Sequence, residues 1–197
     1  MKKIIFTLLI MVSLTSFAQT KPFFGIEGGF AFVDIDAANT AQAIANATGL
    51  TTTVTYDRGA LTGRLFSGVP VNESLQAELG AFASMSVDAK YSNTSGTASE
   101  SYSVKGLDLS AKFVNQSNFF ARGGMHYSQL SGDAQITMAG VSATGSGNIS
   151  GTGFLVGAGF NEKQADGSVI YFEYRYMNRL GGLSSANAHM LVLGYLK

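Results

Sequence analysis

Leu75-Gln76-Ala77-Glu78-Leu79-Gly80-Ala81-Phe82-Ala83-Ser84-Met85-Ser86-Val87 decides how this chain is read. Its odd positions are Leu75, Ala77, Leu79, Ala81, Ala83, Met85 and Val87, all apolar. Its even positions are Gln76, Glu78, Gly80, Phe82, Ser84 and Ser86, mostly polar or small. Successive side chains of a strand point to opposite faces, so the run predicts a strand with one apolar and one polar side.

The same alternation recurs on both sides of it. Phe24, Ile26, Gly28, Phe30 and Phe32 alternate with Gly25, Glu27, Gly29, Ala31 and Val33. Leu61, Gly63 and Leu65 alternate with Thr62, Arg64 and Phe66, and Leu107, Leu109, Ala111 and Phe113 with Asp108, Ser110 and Lys112. Phe119, Ala121, Gly123, Met125 and Tyr127 alternate with Phe120, Arg122, Gly124, His126 and Ser128. Phe154, Val156, Ala158 and Phe160 alternate with Gly153, Leu155, Gly157 and Gly159, and Phe172, Tyr174 and Tyr176 with Tyr171, Glu173 and Arg175. A final segment, Ala188–Leu196, is apolar on both faces except at His189 and Gly194. Eight candidate strands result, each near the ~9–11 residues that a tilted transmembrane strand needs.

The connections between them alternate in length. Asp34–Tyr56, Ser92–Ser101 and Ser131–Ser150 are long and polar; Pro70–Ser74, Asn115–Asn118 and Asn161–Gly167 are short; Asn178–Asn187 is intermediate. In an up-and-down meander, alternate connections emerge at opposite ends. One end therefore has tight turns and the other long loops, and an even strand count puts both termini at the tight end. Length, polarity and weak patterning predict that 35–56 and 131–150 are mobile, exposed loops.

Composition decides which face meets which solvent. The chain has 197 residues, suited to one domain, and only 13% are charged against the ~25% of ordinary soluble chains. Hydrophobic content of 46% excludes disorder, and the absence of heptads excludes a coiled coil. Thirteen basic and thirteen acidic residues leave no basic stripe for nucleic acid. No cysteine is present, which excludes disulfides, thiolate metal sites and Cys nucleophiles. A soluble barrel puts its polar face outward. Here the polar face is Gly, Ser and Thr with sparse charges of both signs, which suits a narrow lumen. The other face carries Phe, Leu, Val, Met and Tyr, which suits lipid. A closed barrel also satisfies every backbone polar group where lipid cannot. By parity, Glu27, Arg64, Glu78, Asp108, Lys112, Arg122, Glu173 and Arg175 share the lumen face, where opposite charges are expected to interlock. Phe24, Phe30, Phe113, Phe119, Tyr127, Phe160, Tyr174, Tyr176 and Tyr195 are expected to face lipid.

The N-terminus predicts export. Lys2 and Lys3 precede the apolar Ile4–Leu14, too short to span a bilayer, and Ser16-Phe17-Ala18 offers small residues for cleavage before Gln19. Residues 1–18 are thus expected to be a cleaved signal peptide, and 19–197 one barrel domain.

Four phrases carry a family resemblance: Phe24-Gly25-Ile26-Glu27-Gly28-Gly29-Phe30, Leu75-Gln76-Ala77-Glu78-Leu79-Gly80, Gly151 through Phe160, and Phe172-Glu173-Tyr174-Arg175-Tyr176. In this order the chain resembles the small outer-membrane β-barrel proteins of the OmpA/OmpX type, the broad porin family. The resemblance implies an outer-membrane location in a Gram-negative cell envelope, periplasmic termini and extracellular long loops. It implies contact with outer-membrane lipid, lipopolysaccharide and the barrel-assembly machinery, and a charge network plugging the lumen at the eight positions above. One departure is the ending Gly194-Tyr195-Leu196-Lys197, where such barrels end in an aromatic residue.

Two apparent motifs compete with this reading. Gly151-x-Gly153-x-x-x-Gly157-x-Gly159 is superficially like a dinucleotide loop, but it lies within an alternating strand and no helix follows. Its glycines are read as making room in the lumen. His126 and Ser128 share a strand face with Asp133 nearby, as outer-membrane lipid A deacylases use a His-x-Ser pair with a carboxylate. In those enzymes the pair sits in the second-to-last strand; here it is in the fifth, and Gly140 occupies the carboxylate position. The chain is therefore expected to be an eight-stranded antiparallel transmembrane β-barrel: monomeric, with no enzymatic activity, cofactor, metal or nucleic-acid partner. Its role is expected to be structural or surface-interacting. A small gated channel is the alternative, and a lipid A acyl hydrolase using His126 and Ser128 the remote one.

Overall fold

The computed structural model describes residues 21–35, 37–138 and 141–197. The expected signal peptide, residues 1–18, and Gly140 lie outside the described residues. Ten strands form in chain order: β1 (Phe23–Asp34), β2 (Thr53–Tyr56), β3 (Gly59–Pro70), β4 (Leu75–Ser84), β5 (Val87–Asn93), β6 (Gly96–Val114), β7 (Phe119–Met138), β8 (Val141–Lys163), β9 (Val169–Met177) and β10 (Asn187–Leu196). Among the described residues, one helix, α1 (Ala37–Thr48), and a 3-10 turn, Leu180–Gly182, complete them.

Eight strands close a ring in the order β1-β3-β4-β6-β7-β8-β9-β10, with β10 antiparallel to β1. Glu27 stands opposite Arg64 across β1–β3 and opposite Gly194 across β1–β10. The alternation dictates this closure. Leu61, Leu65, Leu79, Leu107, Leu109, Met125, Phe154, Val156, Phe172 and Leu193 all point outward and are exposed. Their inward neighbours are buried. So continuous an apolar exterior is incompatible with water and matches a hydrocarbon solvent. Both chain ends of the ring lie beside the short turns, since Gly25 pairs with Leu196 and Phe23 with Gly68.

The long connections differ from the expected loops. Asp34–Tyr56 contains α1 and β2. The helix has Ala37, Ala41 and Ile44 on one face, and it ends at Gly49, whose φ of 69° lets its N–H cap the Ala45 carbonyl. Ser92–Ser101 is a tight hairpin in which Asn93 Oδ1 accepts from the N–H groups of Ser95 and Gly96. Ser131–Ser150 is the continuation of β7 and β8, paired from Gln129↔Ser150 to Met138↔Val141. Long, polar and weakly patterned sequence here forms regular strand because both faces meet water, so no alternation is demanded. On the described residues, 35–56 and 131–150 are therefore mostly helix and strand rather than the expected loops, while Val141–Ser150 are exposed as expected.

The deciding stretch is also not one strand. β4 ends at Ser84, and Met85–Ser86 turn the chain into β5. Met85 still faces outward, but Val87 is 2% exposed, packed among the residues that fill the upper lumen. The bend reverses which parity points in.

A strand needs ~9–11 residues to cross a bilayer. β9 and β10 have 9 and 10, whereas β6, β7 and β8 have 19, 20 and 23. The surplus projects beyond the ring as a sheet in the order β2-β5-β6-β7-β8. Helix α1 covers part of it through Ala89, Tyr91 and Ala98.

Candidate functional site

The barrel interior is built in three layers. Nearest the short turns, Phe66, Phe120, Tyr171 and Leu196 form an apolar floor, with Phe23, Val114 and Val169 against it. Tyr171 meets Phe66 and Phe120 edge-on, at centroid distances of 6.5 and 5.8 Å. Lys112 stands on this floor. Its Nζ lies 3.9 Å from the Phe120 ring centre and 4.1 Å from that of Tyr171, and it donates to Asn161 Oδ1 at 3.0 Å.

The charged layer comes next. Arg64 grips Asp108 with two parallel bonds of 2.8 and 2.7 Å, and its third nitrogen reaches Glu27 at 2.8 Å and Glu78 at 3.2 Å. Arg175 binds Glu173 twice at 2.9 Å and Glu27 at 2.8 and 2.9 Å. Arg122 joins the halves: Nε to Glu173 at 3.1 Å, Nη1 to Ser110 Oγ at 3.2 Å, and Nη1 to Glu78 in a close ion pair. Tyr171 Oη donates to Glu27. Forked arginine–carboxylate geometry favours this arrangement over isolated point charges. Three arginines thus meet four carboxylates, and Lys112 brings the inward charge to zero. The structure brings seven of the eight expected charges into one network. Lys112 instead rests on the aromatic rings of the floor and on the Asn161 amide, below the other seven.

The upper layer is apolar again: Val33, Phe82, Val87, Val104, Leu130, Leu155, Met177, Leu180, Met190 and Val192 pack together. By parity Val33, Phe82 and Leu155 fall on the face expected to be polar, whereas Val87 falls on the expected lipid face and Leu180 in a connection. Leu155, Met190 and Val192 were visible as apolar lumen-face residues in β8 and β10, and that was the available signal. The space left beside Glu27, Arg64, Arg175, Phe82 and Met190 is about 10 Å³, roughly one water.

Glycines on the inner face leave the room this packing uses. A Cβ at Gly80 would overlap the Arg64 guanidinium; one at Gly157 would overlap the Glu173 carboxylate, and one at Gly194 the Tyr171 ring. The glycine run Gly153–Gly159 serves the same end, Gly153 against His126 and Gly159 against Phe120.

The Asn178–Ala186 connection folds into the upper mouth. Arg179, Gly181 and Gly182 all take positive φ, and Leu180 is buried to 1%. His126 Nε2 is bonded to the Asn178 carbonyl at 2.8 Å, and Ser128 Oγ accepts the Gly181 N–H at 2.9 Å. Both side chains are buried and serve as anchors for this loop. Asp133 stands on the projecting sheet, paired with Ser101 and Ser146.

Phe24, Phe113, Phe119, Phe160 and Tyr195 point outward near the short-turn end, with Phe119 and Phe160 in edge contact at 5.3 Å. Phe30, Tyr127 and Tyr174 do so toward the other end. Tyr176 is half-buried against Phe154 and His189, and His189 Nδ1 lies 2.6 Å from Tyr174 Oη. Among the described residues, no group of three His, Asp or Glu is placed to hold a metal.

Comparison with known proteins fits this architecture. The family model described as the OmpA-like transmembrane domain matches residues 18–195. OprG from Pseudomonas aeruginosa is similar at a TM-score of 0.50 and 14% identity, covering 90% of this chain and 97% of that one. Ail, the attachment invasion locus protein of Yersinia pestis, gives 0.48 and 14%, covering 90% and 99%. No curated protein sequence matches the chain.

Proposed function

The chain belongs to the OmpA-like transmembrane domain family, and from that premise we propose that its barrel is a sealed, non-enzymatic anchor in the outer membrane. The barrel carries a β-sheet out to the cell surface. The observation that supports this best is the charged layer closed between two apolar layers, with room for about one water. Eight-stranded barrels have interiors just wide enough for side chains to fill. The eight charges Glu27, Arg64, Glu78, Asp108, Lys112, Arg122, Glu173 and Arg175 act as the plug. The outward aromatics, from Phe24 to Tyr195, sit in the two interfacial belts. Short turns and both termini face the periplasm, and the projecting sheet faces outside, following the usual asymmetry of such barrels. The assembly machinery inserts the chain as a monomer.

A gated, low-conductance channel is the second reading. It is favoured by two atoms inside the network, Glu78 Oε1 and Arg122 Nη2, which lack hydrogen-bond partners. Such atoms are where water would first enter.

Planar-bilayer recording tests the seal. Wild-type protein is expected to conduct rarely and weakly. Glu78→Gln, which strips Arg122 of a partner, is expected to raise open probability. A large, steady wild-type conductance unaffected by that change would overturn the seal and favour the channel. For the acyl-hydrolase alternative, cells expressing wild type and Ser128→Ala should show identical lipid A; deacylation by wild type alone would overturn the non-enzymatic reading.

A further inference from the structure

Carboxylates are treated differently in the ring and in the projecting sheet. Inside the ring, Glu27, Glu78, Asp108 and Glu173 each face an arginine. Glu100, higher on β6, does not. It shares the lumen side of its strand with Tyr102, Val104 and Asp108, and it is half-buried. Its Oε2 accepts from Tyr91 Oη at 2.8 Å and from Tyr102 Oη at 2.7 Å, so two strands fix the carboxylate. Among the described residues, Oε1 accepts no hydrogen bond and no ion pair includes Glu100.

A mainly apolar groove of about 440 Å³ runs down the sheet from Glu100 toward the barrel mouth. Ala134 pairs with Glu100 at its upper end. Leu130, Ile149 and Leu183 line its lower end, with Leu183 supplied by the Asn178–Ala186 connection. The rows of Ala134 and Leu130 lie four residues apart on β7, roughly 13 Å at ~3.3 Å per residue. Between them Gly145 and Gly147 keep the groove open, since an added Cβ at either would meet nothing within 4 Å. Among the described residues, no lysine, arginine or histidine lines it.

We propose that this groove binds a small aliphatic amine, with its ammonium on Glu100 Oε1 and its carbon chain running down toward Leu183. Three features select that chemistry. The only charged side chain on the lumen side of the groove is an acid, which repels anions. A neutral hydrocarbon would cover Glu100 without giving it a counter-charge, and a half-buried carboxylate covered in that way is costly. A guanidinium binds best across both carboxylate oxygens, but Oε2 is already taken by two phenols; a compact ammonium needs only the free one. The Tyr102 ring beside it is a further favourable neighbour for a cation. The volume lies within the ~300–1,000 Å³ of small-ligand sites.

NMR of the full protein folded in lipid nanodiscs, labelled at isoleucine methyls, tests this. Ile149 reports the groove and Ile26, on the lipid face, reports probe dissolved in lipid. Hexylammonium should shift Ile149 saturably. Hexanol should bind there about tenfold more weakly or worse, and hexanoate should leave Ile149 unmoved. Glu100→Gln keeps an acceptor for both phenols; it should weaken hexylammonium about tenfold and leave hexanol unchanged. Gly145→Phe should abolish the Ile149 shift with every probe, and unboiled gels report that both variants are folded. The three probes on wild type decide the matter even if a variant misfolds. No Ile149 shift with hexylammonium, or hexanol binding as tightly, would overturn the amine site. Wild-type affinity in folded Glu100→Gln would overturn it as well. Tighter binding of Nα-acetyl-lysinamide than of hexylammonium would overturn the free amine in favour of a protein side chain.

Discussion

The lower and upper halves of β7 and β8 are one pair of strands in two solvents. From Phe119 to Ser128 and from Gly151 to Phe160 the outward positions are Phe, Met, Tyr and Val with Ala, Gly and Thr between them, and the inward ones Arg, His, Ser, Gly, Phe and Leu. From Gln129 to Met138 and from Val141 to Ser150 most residues on both faces are Ser, Thr, Gly, Gln, Asn and Ala, with Leu130, Asp133, Ile136, Met138, Val141 and Ile149 the exceptions. The backbone ladder is continuous through both. What changes is that the lower half separates lipid from a filled lumen, while the upper half has water on both sides. Side-chain alternation is demanded only where the two faces see different media; in the upper halves of β7 and β8 the continuous backbone ladder carries the pairing without it.

The sharpest way to break this contrast is to disturb the inside of the lower half. Arg175→Ala should destabilise the barrel by about 3–5 kcal/mol, because Glu27 and Glu173 are left buried without their main partner. Urea titration of protein in lipid vesicles, followed by loss of the fast-migrating unboiled gel band, measures it. A cost under about 1 kcal/mol would mean that water already reaches the layer.

The outer faces provide the next test, on one strand and one face. Val156→Arg should cost roughly 2–4 kcal/mol if it sits at the bilayer midplane. Ser146→Arg, ten residues earlier with the same parity, should stay within about 0.5 kcal/mol. Equal costs in the same titration would erase the boundary between the halves.

Glycines sharpen the comparison further. Gly157→Ala should destabilise by about 1–3 kcal/mol, since its Cβ meets the Glu173 carboxylate. Gly145→Ala has open space around it and should be neutral or stabilising, by up to about 1 kcal/mol. Destabilisation at Gly145 would show that the projecting strand is more crowded than its exposure indicates.

The smallest effect is a pH response confined to the upper sheet. Burial pushes the Tyr56 phenol up to about 12; its Oη bonds the Val33 carbonyl at 2.7 Å. Burial, then the Glu100 carboxylate, also raises Tyr91 and Tyr102, whose hydroxyls both bond Glu100. A phenol raised in the folded state stabilises fully below the ordinary value near ~10 and loses that contribution as pH climbs through the folded value. Hydrogen exchange between pH 10 and 12 should therefore loosen β2, β5 and α1 first, with the ring strands still protected. Simultaneous loosening of both would contradict the separation.

The same two-solvent logic explains what the sequence disclosed. The eight ring strands were legible because lipid outside and packed side chains inside impose a period of two. Glu27, Arg64, Glu78, Asp108, Arg122, Glu173 and Arg175 could be assigned to one face by parity alone. Their depth could not, so the aromatic floor under Lys112 and the apolar layer around Leu180 emerged only from the assembled barrel. Ser131–Ser150 carried no alternation to read. Two signals were nonetheless present. Val87, Ala89 and Tyr91 alternate with Asp88, Lys90 and Ser92 in β5, and Ala37, Ala41 and Ile44 fall at helical spacing ahead of the Gly49 cap. The first continues the alternation of β4 without a visible break, and the second lies in a long polar connection.

Because the chain has no cysteine, single cysteines can map the boundary cleanly. Positions 142, 144, 146, 148, 150, 154, 156, 158 and 160, all on the outer face of β8, are replaced one at a time. The folded protein in lipid vesicles is then exposed to a membrane-impermeant maleimide and, separately, to a lipid-soluble quencher. The account predicts maleimide labelling from 142 to 150, quenching without labelling from 154 to 160, and a sharp change between them. Uniform labelling along β8, or quenching that extends up to 142, would contradict it.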